Sequence, residues 1–217
     1  MKKLLVAVVF SLFLITVNAQ QQVPEATLVY SITVNGADEN MSKAFAGATY
    51  TVYLKGTESR TEMNSNLGTE ISIYSGRLAK AAILKEYSGQ KLMITLTKQN
   101  WLEKNKTFHD LIFNPGNSSE KIGQYDVIPA ETTLDSKPFK VYFSKMALLP
   151  NTSYNNAFSN IKGIPVKFEL GSKNMSFTYT LTSVSFEVIP SSKFELPKAG
   201  YRVMSYEENQ KLRNENR

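Results

Sequence analysis

Short alternating runs, separated by turns with room only for a hairpin, constrain this chain more than any other feature. Thr49–Lys55 sets Tyr50, Val52 and Leu54 on one face and Thr49, Thr51 and Tyr53 on the other, which is the period of a half-buried strand. Ala26–Val34 is rich in β-branched and aromatic residues and reads the same way. Lys55-Gly56-Thr57, Asn66-Leu67-Gly68 and Ser88-Gly89-Gln90 then punctuate strands predicted at Glu58–Asn64, Glu70–Ser75, Ala79–Tyr87 and Lys91–Thr97. A parallel crossover needs about a dozen residues or more, so spacings this short force antiparallel neighbours. The first half is a meander, interrupted by a polar loop or short helix at Asn35–Gly47.

The second half repeats the pattern with longer detours. Trp101, Leu102 and Asn105 sit at helical spacing among Lys and Glu, so Gln99–Phe108 is predicted to be a short amphipathic helix. Phe113–Glu120 is a loop, Gln124–Ile128 and Phe139–Lys145 are strands, and Met146–Ile161 is an irregular excursion containing Pro150. Val166–Gly171, Met175–Leu181 and Ser183–Ile189 complete a second meander. Ser205-Tyr206-Glu207-Glu208 has the form of a capping box and should open a charged C-terminal helix. A sheet of roughly ten strands must curl, split or close. The expected class is mainly β (α+β): a curved antiparallel sheet or half-open β-barrel, its concave face covered by a few short helices.

The N-terminus points to export. Lys2 and Lys3 precede Leu4–Val17, an uncharged run of 14 residues. That is too short to span a hydrocarbon core of roughly 30 Å as a helix. Val17-Asn18-Ala19 places small residues before a cut ahead of Gln20. Residues 1–19 are therefore expected to be a cleavable signal peptide, leaving 20–217 as a single domain in the periplasm. The chain has no Cys, so the thiol that lipoprotein processing requires is missing, and the expected mature form is not lipid-anchored. Disulfides and thiolate metal sites are excluded for the same reason.

Catalytic constellations are scarce. His109 is the only histidine and no G-x-S-x-G elbow accompanies it, so it reads as a loop or helix-end residue. Zinc sites ordinarily need several His or Cys ligands. There is no calcium loop of the D-x-D-x-D-G type, no P-loop and no G-x-G-x-x-G. Glu58 and Glu62 share a strand face about 13 Å apart at the usual rise, too far for either geometry of glycoside hydrolysis. No catalytic residue, metal or cofactor is expected, and the protein is read as a non-enzyme. Arg60 lies between them; buried and paired it could tie the sheet to a covering loop, but charged residues are seldom fully buried, which favours an exposed side chain.

Charge and apolar side chains carry the remaining expectations. Without Lys2 and Lys3 the chain holds 23 basic and 19 acidic residues. Arg77–Lys106 alone has seven basic residues against Glu86 and Glu103. Such a stripe could meet an anionic membrane surface or an envelope protein, although solvated strand faces look the same. Nucleic acid is not an expected partner of an exported chain with no recognition motif. Trp101 and Leu102 on the helix, Phe143 and Met146 leading into the excursion, Phe158 at its far end and Phe177 beyond are candidate ligand-binding residues. Met and aromatic side chains suit adaptable apolar cavities as well as ordinary cores.

Several segments also resemble a family of exported, mostly uncharacterised bacterial proteins. Val52-Tyr-Leu-Lys-Gly56 through Ser59-Arg60 resembles its "Y-x-K-G…x-R" hairpin, and Lys121-Ile-Gly-Gln-Tyr125 its "K-I-x-G-Y" segment. Phe139-Lys-Val-Tyr-Phe143 resembles its following strand, and Ile161-Lys-Gly-Ile-Pro-Val166 its "L-x-G-L-P-L" turn. Phe194-Glu-Leu-Pro-Lys-Ala-Gly-Tyr201 with Val203-Met-Ser205 resembles its closing "F-x-x-P-x-G-Y-x-x-M". The signal ending Asn-Ala-Gln is similar to those of Bacteroidetes exports. These proteins look like relatives of the LolA and LolB lipoprotein carriers. The resemblance implies a half-open antiparallel barrel with helices plugging an apolar concave face, and binding of a lipid or other hydrophobic molecule. Arg60 lies where an arginine could latch a lid, as a position on a strand and not as a match to a family motif. The helical lids of LolA are longer and more apolar than any segment here, so lipoprotein transfer itself is not implied.

Together these readings predict a monomeric periplasmic module, without enzymatic activity, that holds a lipid or other hydrophobic small molecule in its curved sheet. The alternative is a structural or interaction protein of the cell envelope, its core filled by its own side chains and holding no ligand.

Overall fold

The computed structural model describes residues 21–108, 111–151, 156–158, 160–171 and 174–215. Met1–Ala19 and His109 lie outside the described residues. The first meander is β1 (Glu25–Asn35), β2 (Thr49–Lys55), β3 (Glu58–Ser65), β4 (Gly68–Ser75), β5 (Lys80–Tyr87) and β6 (Gln90–Thr97), each antiparallel to the next. Two short strands follow, β7 (Asn114–Pro115) and β8 (Glu120–Ile122), and both pair with β9 (Tyr125–Leu134). β10 (Lys137–Ser144), β11 (Ile164–Gly171) and β12 (Ser176–Ser185) complete the second meander. β12 then pairs along β1, Val34 opposite Phe177 and Leu28 opposite Val184, so the two meanders are halves of one curved sheet. A last strand, β13 (Arg202–Ser205), adds to β6 in parallel. Of the thirteen strands among the described residues, β13 and β7 end the order, and the sheet they form does not close into a barrel.

Among the described residues the α-helices are three and short: α1 (Glu39–Ala44), α2 (Lys98–Lys104) and α3 (Tyr206–Glu215). Asp38 caps α1 by accepting the Met41 N–H at 2.8 Å. The Ser205–Glu208 box forms as expected: the Ser205 hydroxyl accepts the Glu208 N–H and the Glu208 carboxylate accepts the Ser205 N–H. The helix predicted over Gln99–Phe108 is split at Asn105 into α2 and a 3₁₀ turn at Lys106–Phe108.

Two strand boundaries differ from the sequence reading, each for a local reason. Pro129 offers no N–H to a ladder, so the alternation reads as ending at Ile128. In the fold β9 continues to Leu134 and turns through Asp135 and Ser136, both at positive φ, as a two-residue hairpin of the primed type requires. The strands predicted at Met175–Leu181 and Ser183–Ile189 are one strand with a bulge at Thr182, where the register against Val29 and Tyr30 slips. Phe186–Ile189 has left the sheet, and Val188 is 82% exposed.

The sheet carries a core on each side. The inner face is the one covered by α2 and by the residues around Ala147 and Phe158. Its main cluster runs from Leu28, Tyr30, Val52 and Leu54 to the second meander. There the rings interlock: Phe158 lies 4.7 Å from Phe168, which stacks at 4.8 Å on Tyr179. The Tyr30 hydroxyl donates to the Pro165 carbonyl at 2.8 Å, so this large side chain is buried with its polar end paired. A second inner cluster gathers Tyr74, Ile83, Ile94 and Leu96 under Trp101. A smaller cluster of Ile71, Ile73, Ala82 and Leu84 lies on the outer face.

Candidate functional site

Two of the concavities among the described residues bear on the predicted site. The first is the hollow beneath α2. Thr97 caps the helix reciprocally: its hydroxyl accepts the Asn100 N–H at 3.1 Å, and its own N–H donates to Asn100 Oδ1 at 3.0 Å. This fixes the start of α2 directly on the end of β6 and turns Trp101 inward. The indole is 4% exposed and stacks on Tyr74 with centroids 5.3 Å apart. Lys104, one turn later, puts its ammonium 5.5 Å from the indole ring.

Beyond Trp101 the inner face becomes polar. The ladder sets Tyr50 opposite Met63, Met63 opposite Glu70, and Thr61 opposite Ser72. These residues, with Lys104 and Tyr179, line a cavity of about 180 Å³. Glu70 is held by Lys85 at 3.1 Å and accepts from the Tyr87 hydroxyl at 3.4 Å. Burial raises the Tyr50 phenol, with Tyr179 adding to the effect. Burial, then the charge of Glu70, pushes Tyr179 up to about 12. Pockets for drug-sized ligands start at roughly 300 Å³ and are mainly apolar. The hollow is smaller, and phenols, hydroxyls, Glu70 and Lys104 share its walls with Met63, Trp101, Phe168 and Leu170.

The six residues proposed from sequence as one lipid site are not brought together. Trp101 borders the hollow, while Leu102 is half-buried on α2. Phe143 and Phe158 are buried in the main cluster, where Phe158 meets Phe113 and Phe139 at 6.2 Å. Met146 is 46% exposed and lines a separate surface depression with Tyr125 and Ile128. Phe177 packs edge-on against Phe45 at 5.0 Å. The inner face of the second meander is thus filled by the chain's own rings.

Arg60 lies on the outer face. Its guanidinium pairs with Glu62 at 2.5 Å and donates to the Lys193 carbonyl at 3.0 Å. Lys193 belongs to a C-terminal strap, residues 186–201, that crosses the outer face between β12 and β13. Lys55 donates to the Ile189 carbonyl at 2.7 Å, and Glu25 accepts the Ile189 N–H. The Lys193 ammonium sits 4.6 Å over the Tyr53 ring. Tyr201 donates to Glu86, which is also paired with Lys91 at 3.0 Å. Arg60 is therefore a latch, but of this strap and on the side opposite α2. The alternation dictates this, because Ser59 and Thr61 face inward. Within the Arg77–Lys106 segment, Lys85, Lys91 and Lys106 each have a carboxylate partner.

The second concavity is the groove that the strap leaves at the Ser75–Ala81 end of the sheet, with a volume of about 700 Å³. Ile73, Leu78 and Ala81 from the sheet side and Phe194 and Leu196 from the strap supply its apolar lining. Leu78 is 56% and Leu196 38% exposed. An adjoining depression of about 480 Å³ shares Lys80, Ala81 and Leu196 and reaches Leu96 and α3. No residue of this groove was picked out from sequence as a ligand contact. The available signs were the cation-flanked Arg77-Leu78-Ala79-Lys80 turn and the apolar Phe194 and Leu196 in a segment too short and Pro-broken to be an element.

No family and no curated protein matches the chain. Among solved structures it is similar to PNGF-II at 12% identity and a TM-score of 0.43, over 86% of this chain and 31% of that one. The chain thus spans about a third of that protein's length. It is also similar to the LolA superfamily protein NE2245 from Nitrosomonas europaea, at 9% identity and a TM-score of 0.34, over 79% of this chain and 90% of that one. LprF from Mycobacterium bovis gives 11% identity and a TM-score of 0.35, over 76% and 87%.

Proposed function

We propose that this protein is a periplasmic binding module, without enzymatic activity, that carries a hydrophobic ligand in the groove between the strap and the Ser75–Ala81 end of the sheet. One observation carries the reading: about 700 Å³ of open space lined by Ile73, Leu78, Ala81, Phe194 and Leu196, two of them substantially exposed. Burying a side chain such as leucine is worth roughly 1.5–3 kcal/mol, so leaving both Leu78 and Leu196 wet is a cost that an apolar ligand would remove. The volume lies in the range of small-molecule pockets.

A second reading has its own support. The inner face of the second meander is closed by Phe113, Phe139, Phe158 and Phe168, as an interaction protein with a self-filled core would have it. One experiment separates the two. The full chain, with its N-terminal leader, is expressed for export, purified from the periplasmic fraction and analysed by native mass spectrometry and by extraction. The expected result is a chain beginning at Gln20 with a co-purifying hydrophobic molecule, which is absent when Leu78 and Leu196 are both changed to Asp. A folded, exported wild-type protein that carries nothing and takes up no added lipid would leave the interaction reading standing.

A further inference from the structure

We infer that the groove selects an amphiphile with an anionic head, a long-chain carboxylate or a phosphate monoester. The inference rests on the proposed use of the groove for a hydrophobic ligand and adds the chemistry of its polar end. Four cations line the groove: Lys55, Arg77, Lys80 and Lys198. Lys55 is occupied, since its ammonium lies 3.0 Å from Glu25 and donates to the Ile189 carbonyl. Arg77, Lys80 and Lys198 are exposed, and among the described residues none has a carboxylate within ion-pair distance. They contrast with Lys85, Lys91 and Lys106, which are all paired.

Their placement matters more than their number. Arg77 stands on the turn between β4 and β5 and Lys80 opens β5, both on the sheet side of the groove. Lys198 stands on the strap, on the other side. Cations brought from two chain segments to one lining, with no carboxylate paired to them, repel one another and set a positive potential over the groove. An anion between them relieves that repulsion. Two carboxylates share the lining. Glu58 is engaged at the base, where it accepts from the Ser75 hydroxyl at 3.0 Å, and Glu195 is exposed on the strap. Neither is close enough to a described cation to neutralise it. The guanidinium of Arg77 adds a planar fork suited to a carboxylate or phosphate. The apolar floor takes the chain, and the unpaired cations take the head.

The test uses the full-length protein and three C12 probes: dodecanoate and dodecyl phosphate below their micellar concentrations, and dodecanol below its solubility limit. Calorimetric titration of the wild type should give affinities about ten-fold or more higher for the two anions than for the alcohol. That preference should shrink as salt screens the cations. Replacing Arg77, Lys80 and Lys198 together with Ser should bring all three probes to the affinity of dodecanol. Replacing Leu78 and Leu196 with Ser should weaken all three alike. The two anionic probes compared with each other identify which head is preferred. Equal binding of all three probes to the wild type, unchanged in the cation variant, overturns the head-group assignment and leaves the groove in place. Failure of every probe to bind, or binding that the leucine variant does not weaken, overturns the groove reading itself.

Discussion

Replacing Trp101 with Ala should be among the most damaging single changes on the inner face outside the main cluster. The indole is 4% exposed, stacks on Tyr74 at 5.3 Å and forms the roof of the cluster that includes Ile83, Ile94 and Leu96. Truncating a buried aromatic to Ala costs about 3–5 kcal/mol, part of it transfer and part the space left behind. Here the space opens into a hollow of about 180 Å³ that already contains polar walls. Water can enter it, so the expected cost lies near 3 kcal/mol, the low end of that range. Within that total the stack on Tyr74 should contribute about 0.5–1.5 kcal/mol. Urea unfolding followed by far-UV circular dichroism measures the loss. Because Trp101 is the only tryptophan, wild-type fluorescence reports on the same cluster, with blue-shifted emission that moves red on unfolding. Tyr74→Ala should be non-additive with it by roughly the value of the stack. A loss below about 1 kcal/mol, against the 3–5 expected of such a site, or full additivity with Tyr74→Ala, would refute the view that α2 is held down by this ring.

Two other changes probe the hollow and the strap. Tyr179 has its phenol pushed up to about 12 and Tyr50 is raised further by burial, whereas an unfolded tyrosine titrates near about 10. The folded state keeps protons that the unfolded state loses, so stability is complete below about pH 10 and falls above it by about 1.4 kcal/mol per pH unit for each such tyrosine. Tyr179→Phe should make the fall between pH 10 and 11.5 shallower by that amount in urea titrations, and an unchanged slope would count against burial of the phenol. Arg60→Ala removes a pair with Glu62 and a bond to the Lys193 carbonyl, at a cost of about 1.5–3 kcal/mol. The strap should also become cleavable by protease near Lys198 before the sheet unfolds; cleavage no faster than in the wild type would show that Arg60 does not hold it.

Much of the fold was legible because strand alternation is a local property. Tyr50, Val52 and Leu54 point one way in the sequence and one way in the sheet, and the short turns after Lys55, Ser65 and Tyr87 leave no other pairing. The pairing of β1 with β12 was not legible, because nothing near Tyr30 says that its partner lies 151 residues away at Leu181. The same limit applies to the site. Aromatic content marks Phe143, Phe158 and Phe177 as apolar, but whether rings fill a space or line it depends on what arrives from elsewhere. Here Phe158 and Phe168 arrive together and close the inner face.

The sequence by itself determined the class of sheet, the hairpin order, the cap at Ser205 and the absence of thiol chemistry, since each depends on residues within a few positions of one another or on composition alone. Only the tertiary structure decided on which side Arg60 works, because a latch is defined by its partner and Lys193 comes from 133 residues further along. It also decided that the apolar space lies under the strap and not under α2. Leu78 and Leu196 are ordinary residues of two separate segments, and they become the walls of one groove only when β13 carries the chain back to β6.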